Sequence, residues 1–85
     1  MNSGYRFGEF SIRQDMVDVI RMYVDNRIEP GGFLTAVIEN DLSGAVGRAD
    51  GDNLRNLPAI VGYFYNETPA ACWGSKEKMT AWLSR

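Results

Sequence analysis

The feature that most constrains this chain is its near lack of cross-linking side chains: 85 residues carry one cysteine, Cys72, and no histidine. No internal disulfide can form. A structural zinc site needs several Cys or His ligands, and the chain has almost none to offer. A chain of this length buries a modest fraction of its surface. It must therefore be held by side-chain packing alone, or by packing plus a second copy of itself. A single domain over residues 1–85 is the expected organisation. The apolar fraction, 45%, is too high for a disordered chain and ordinary for a folded one.

The same absences narrow the function. Ser–His and Cys–His nucleophilic pairs are impossible without histidine. Acid–base work would fall to carboxylates, tyrosines, Lys76 and Lys78. The nearest carboxylate pairs are Asp15 with Asp18 and Asp50 with Asp52. Acids of the first are favoured in an early helical turn by the helix dipole, and the second supplies a helix cap. Asp50-Gly51-Asp52-Asn53 lacks the later ligands and distal glutamate of a calcium loop. Neither phosphate-cradling glycine motif is present. Cys72 precedes a helix start near Lys76 and Lys78, a setting that lowers a thiol pKa. Without a histidine beside it, it reads as structural. The expectation is a protein that is not an enzyme, with no cofactor and no metal.

The formal net charge is -2, which argues against direct nucleic-acid binding, a process driven by clustered positive charge. No stretch approaches the roughly 20 apolar residues of a membrane span. Met1 to Phe10 lacks the apolar core of an export signal. With a free cysteine, this points to the cytoplasm.

Hydrophobic periodicity predicts an all-α fold: a compact bundle of three main helices, a short C-terminal helix and an N-terminal aromatic arm over residues 1–10. Tyr5 and Phe7 alternate as an extended segment does, with no second strand for them to pair with. The arm is expected to lie on the helices or on another subunit. Ser11 and Gln14 have capping-box spacing, so the first helix should run from Ile12 to about Asn26. Its apolar side is Ile12, Met16, Val17, Val19, Ile20, Tyr23 and Val24, and Met22 falls within the polar side.

Glu29-Pro30-Gly31-Gly32 breaks the chain. A second helix is predicted from Phe33 to about Ala49, with Phe33, Leu34, Val37, Ile38, Leu42, Ala45 and Ala49 on its apolar, core-facing side. Asp41 and Arg48 project within or beside its apolar face, seven positions apart. They read as a structural network, where a buried ion pair would specify one packing arrangement, or as a polar site in a pocket, and the sequence does not decide whether they are buried. Ala36, Asn40, Ser43, Gly44 and Gly47 form a small-residue flank that admits a close neighbour, either in the same chain or across a two-fold axis.

A third helix, capped by Asp50 or Asp52, runs to about Asn66. Pro58 either kinks it or marks its true first turn. Leu54, Leu57, Ile60, Val61, Phe64 and Tyr65 form the expected core stripe. Arg55, Ala59, Gly62, Tyr63 and Asn66 form an outward face suited to contact. Ser75 caps a last helix, Lys76 to Leu83, and Trp73 and Trp82 close one end of the core.

The block Pro30-Gly31-Gly32-Phe33-Leu34-Thr35-Ala36-Val37, with Asn40-Asp41-Leu42, Arg48-Ala49-Asp50, Tyr65-Asn66-Glu67 and Cys72-Trp73-Gly74-Ser75, resembles a group of small proteins encoded by phages and prophages. The resemblance spans Pro30 to Trp82. It implies a short accessory protein made during infection, acting in the host cytoplasm by occupying a host protein or sequestering a small signalling molecule.

Two functions follow as expectations. The first is a non-enzymatic inhibitor or adaptor that binds a host factor, such as a defence protein, through Tyr5, Phe7, Met22 and Tyr63. The second is a homodimer or higher oligomer that holds a nucleotide-type ligand through Arg27, Asn40 and Arg48, with Tyr5 stacking. A purely structural role in a phage particle is a further possibility that sequence does not separate from the first.

Overall fold

The computed structural model describes residues 3–84. The arm is half of a β-hairpin. β1 (Ser3–Phe7) pairs antiparallel with β2 (Phe10–Arg13), with Tyr5 opposite Ile12, Arg6 opposite Ser11 and Phe7 opposite Phe10. Gly8 and Glu9 make the two-residue connection. Gly8 has a φ of 61° and Glu9 does not share it, the pattern of a type II′ turn with glycine first. The fold is therefore predominantly helical rather than all-α. The expected arm of residues 1–10 has a partner strand in what was read as the start of the first helix, and Met1 and Asn2 lie outside the described residues.

Helix α1 (Gln14–Asn26) begins two residues later than expected, because Ile12 is a buried strand residue. Ser11 is no cap. Its backbone N–H leaves the hairpin edge and donates to Asn56 Oδ1 at 3.1 Å. Val17, Ile20, Tyr23 and Val24 of α1 are buried. The helix stops at Arg27, which is left-handed with a φ of 57°.

The predicted second helix is two. α2 (Gly32–Ile38) and α3 (Leu42–Arg48) are separated by Glu39, Asn40 and Asp41. Asn40 is left-handed with a φ of 62°, a conformation asparagine tolerates better than most residues. Asp41 then caps α3 by accepting from the Gly44 N–H at 3.0 Å. The structure decides the question left open for Asp41 and Arg48: they form no buried pair. Both residues are exposed, and Arg48 Nη1 donates to the Gly44 carbonyl at 3.4 Å. The cap holds Asp41 at the surface, so neither charge enters the core.

The predicted third helix also divides. α4 (Gly51–Arg55) is capped by Asp50, whose carboxylate accepts from Asn53 N–H at 2.8 Å. α5 (Leu57–Glu67) has Pro58 in its first turn, where a missing N–H costs nothing. A 3₁₀ turn (Ala70–Cys72) leads to α6 (Lys76–Leu83), which starts at its expected Ser75 cap.

The core centres on Ile20, Tyr23, Ile38, Ile60, Phe64 and Cys72. The hairpin lies over α5. Gly62 makes this possible, since a Cβ there would stand 2.7 Å from Phe7 Cδ1. Tyr63 is consequently 7% exposed rather than outward-facing. The Tyr5 ring meets the Tyr63 ring edge-on at 5.1 Å. With that face covered, the opposite side of α5 turns to solvent.

Candidate functional site

The break after α2 creates the most distinctive surface. The Asp41 N–H donates to the Ala36 carbonyl at 2.8 Å, folding the chain back so that α3 packs on α2. Ala36 and Ala45 are buried between the two helices. Leu42, in the first turn of α3, is thrown outward and is 69% exposed. Its branched apolar side chain has no core to enter.

Across from it runs the uncovered side of α5. Leu57, Val61 and Tyr65 recur at four-residue spacing and so share one helix face. Val61 is 39% exposed and Tyr65 77% exposed. Trp73 closes the end between them. Its neighbour Gly74 donates its N–H to the Ile38 carbonyl at 2.7 Å, and the Trp73 ring packs on Phe64 at 5.7 Å. The result is a cleft of about 50 Å³. Buried Ala36, Val37 and Ala45 floor it, and Leu42, Leu57, Val61 and Trp73 wall it. That volume suits the tip of one apolar side chain.

On the far side of Ala36 and Asp41, which border both, lies a polar cavity of about 290 Å³. Glu29, Thr35, Glu39 and Arg48 line it. A third groove, of about 380 Å³, runs between α1 and α2 and is lined by Met16, Val19, Phe33 and Leu34. Arg13 at its rim is paired with Asp15 at 3.1 Å and Asp52 at 3.6 Å.

The expected partner-binding residues do not share a surface. Tyr63 is buried, and its hydroxyl accepts from Arg21 Nη1 at 3.4 Å. Tyr5 is half-buried, with Asn66 Nδ2 donating to its hydroxyl at 3.3 Å. Phe7 keeps one side exposed but rests on Gly62. These three form the hairpin's seat on α5. Met22 is exposed, on α1 one turn beyond Val19 and the α1–α2 groove.

The expected ligand-binding residues also fall apart within one chain. Arg27 lies over the Trp82 ring, 4.2 Å from its centroid, and its Nη1 donates to the Val24 carbonyl at 3.2 Å. Asn40 borders the apolar cleft, and Arg48 borders the polar cavity. Those two cavities have Ala36 and Asp41 in common. The residues that sequence reading missed are Leu42, Val61 and Tyr65, all assigned to the core but exposed; Leu57 packs against the core as expected and also lines the cleft.

Cys72 is fully buried, and burial pushes its thiol up from the ordinary range. This is the reverse of the lowering that its place before a helix suggests. The folded protein should therefore react with iodoacetamide at neutral pH at least about 100-fold more slowly than the urea-unfolded chain. Equal rates would show that the thiol is reached in the native state.

Among the described residues, no three Cys, Asp or Glu side chains gather to hold a metal ion. No helix there is long and apolar enough to cross a membrane. No family model, no curated protein and no solved structure matches the chain.

Proposed function

We propose that this chain is a non-enzymatic binding protein that acts by occupying a partner protein, and that it does so through the cleft between α3 and α5. The observation that carries this reading is the grouping of exposed Leu42 and Val61 with Leu57 and Trp73 around one concave apolar site, with exposed Tyr65 one turn beyond Val61 on α5. Scattered apolar residues on a surface mean little, whereas a contiguous set beside a cleft marks contact. A tryptophan lining such a site, with a tyrosine one turn away, supplies large contact area at small entropic cost. The resemblance to small phage and prophage proteins makes a host factor, such as a defence protein, the expected partner class, met in the host cytoplasm. The nucleotide-binding alternative receives less support, since Arg27 is engaged with the Trp82 ring and the Val24 carbonyl and lines neither of the cavities that Asn40 and Arg48 border.

Site-specific photo-crosslinking in the cells that produce the protein tests this. A benzophenone side chain at Tyr65 should yield one discrete heteromeric adduct, and one at exposed Arg6 on the hairpin should yield at least about fivefold less of it. Equal yields at the two positions, or no adduct at Tyr65, would overturn the assignment of this face.

A further inference from the structure

The apolar cleft and the polar cavity are neighbours. They share Ala36 and Asp41, so a segment seated over one passes beside the other. The charges at the polar cavity are unbalanced. Three carboxylates, Glu29, Glu39 and Asp41, face one guanidinium, that of Arg48. Asp41 is occupied in capping α3. Arg48 lies across Gly32 and donates to the Gly44 carbonyl. Among the described residues, neither the Glu29 nor the Glu39 side chain has a hydrogen bond or ion pair. Two uncompensated carboxylates thus stand next to an apolar cleft sized for one side-chain tip.

The geometry points to a specific occupant for this pair of neighbouring sites: a segment of a partner protein carrying one bulky apolar side chain within a few positions of a lysine or arginine. The apolar side chain enters between Leu42, Leu57, Val61 and Trp73. The basic side chain reaches across Asp41 to Glu29 and Glu39. Complementary charge beside an apolar anchor fixes direction as well as affinity, because the reversed segment would place its cation over the apolar cleft. This inference rests on the cleft being the contact face, and it adds the chemistry of what the cleft accepts.

Selection from a displayed library of random 12-residue peptides against the whole protein tests both. The expected result is a consensus pairing a Leu, Phe or Trp with a nearby Lys or Arg. Leu42→Glu should weaken selected peptides about tenfold or more. Leu42 is exposed in the first turn of α3, where an acid is favoured by the helix dipole, so this variant folds. The Glu29→Lys, Glu39→Lys double variant should weaken them about fivefold or more. Peptides sensitive to Leu42→Glu but indifferent to the double charge reversal would overturn the inference and leave the contact face standing. Peptides indifferent to both, or no enrichment at all, would overturn both. A concentration-dependent dimer in sedimentation that Leu42→Glu abolishes would make the occupant a second copy and likewise overturn the inference.

Discussion

Phe64→Ala should destabilise the fold by about 3–5 kcal/mol, enough to leave little of the stability of a small domain, whose whole range is about 5–15 kcal/mol. Phe64 is fully buried on α5. It joins two parts of the structure that have no other aromatic bridge among the described residues. On one side its ring meets Tyr63 edge-on at 6.5 Å, and Tyr63 carries the hairpin through Tyr5. On the other it supports Trp73 at 5.7 Å, the wall of the candidate cleft. Truncation leaves a cavity that the hairpin and the Trp73 loop cannot both collapse into. Urea unfolding should show a midpoint reduced by half or more, and the near-ultraviolet signal of Trp73 should weaken before global unfolding. A loss below about 1 kcal/mol would mean that the site relaxes freely and that the core is not organised around this ring. Phe64→Leu retains most of the volume and should cost distinctly less.

The parts of this architecture that sequence reading recovers are those controlled by a local hydrogen bond. Ser75 caps α6, Asp50 caps α4, and Pro58 sits in the first turn of α5, each where the sequence signal lies. Such signals need only a few neighbouring residues to act. The hairpin is harder to read because half of its signal was claimed by the helix that follows. Phe10 and Ile12 alternate as Tyr5 and Phe7 do, with glycine first in a two-residue connection. Ser11 and Gln14 imitate a cap, and that competing pattern absorbs the second strand.

Without a hairpin nothing is available to cover Ala59, Gly62 and Tyr63, so that side of α5 reads as solvent-facing. The apolar residues of α5 are spread around most of its circumference. Periodicity alone therefore does not decide which side is inside, and the packing partner does. The break at Asn40 and Asp41 is similar. Both residues fit a helix interior poorly, and together they make a left-handed stop followed by a cap. Read as one continuous helix, Leu42 stays in line with Leu34 and Ile38 and belongs to the core. The break turns α3 relative to α2 and moves Leu42 to the surface. The candidate cleft is thus legible only after two local interruptions are recognised, and its apolar walls look like core until then.

Tyr23→Ala should cost about 3–5 kcal/mol, and the companion Tyr23→Phe separates what the ring does from what the hydroxyl does. Tyr23 is fully buried on α1, and its hydroxyl donates to the Cys72 carbonyl at 2.6 Å. That bond ties α1 to the 3₁₀ turn ahead of α6, between residues 49 positions apart in sequence. Tyr23→Phe keeps the packing but leaves a buried carbonyl without its donor, a loss of about 1–3 kcal/mol. The hydroxyl also gives the fold an alkaline limit. Burial, with the neighbouring Cys72 adding to it, pushes the Tyr23 pKa up from 10.0 to about 12. Between those values the unfolded chain has lost the Tyr23 proton and the folded chain still holds it. The unfolded state then binds fewer protons, so stability falls as pH rises, by at most about 1.4 kcal/mol per pH unit from this group. Below pH 10 the contribution is fully present. Urea titrations from pH 9 to 12 should therefore show a steeper loss in the parent protein than in Tyr23→Phe, with the two curves converging as pH approaches 12. Parallel curves would mean that the Tyr23 hydroxyl ionises as readily in the folded chain as in the unfolded one, and that its bond to Cys72 does not hold α1 to the C-terminal turn.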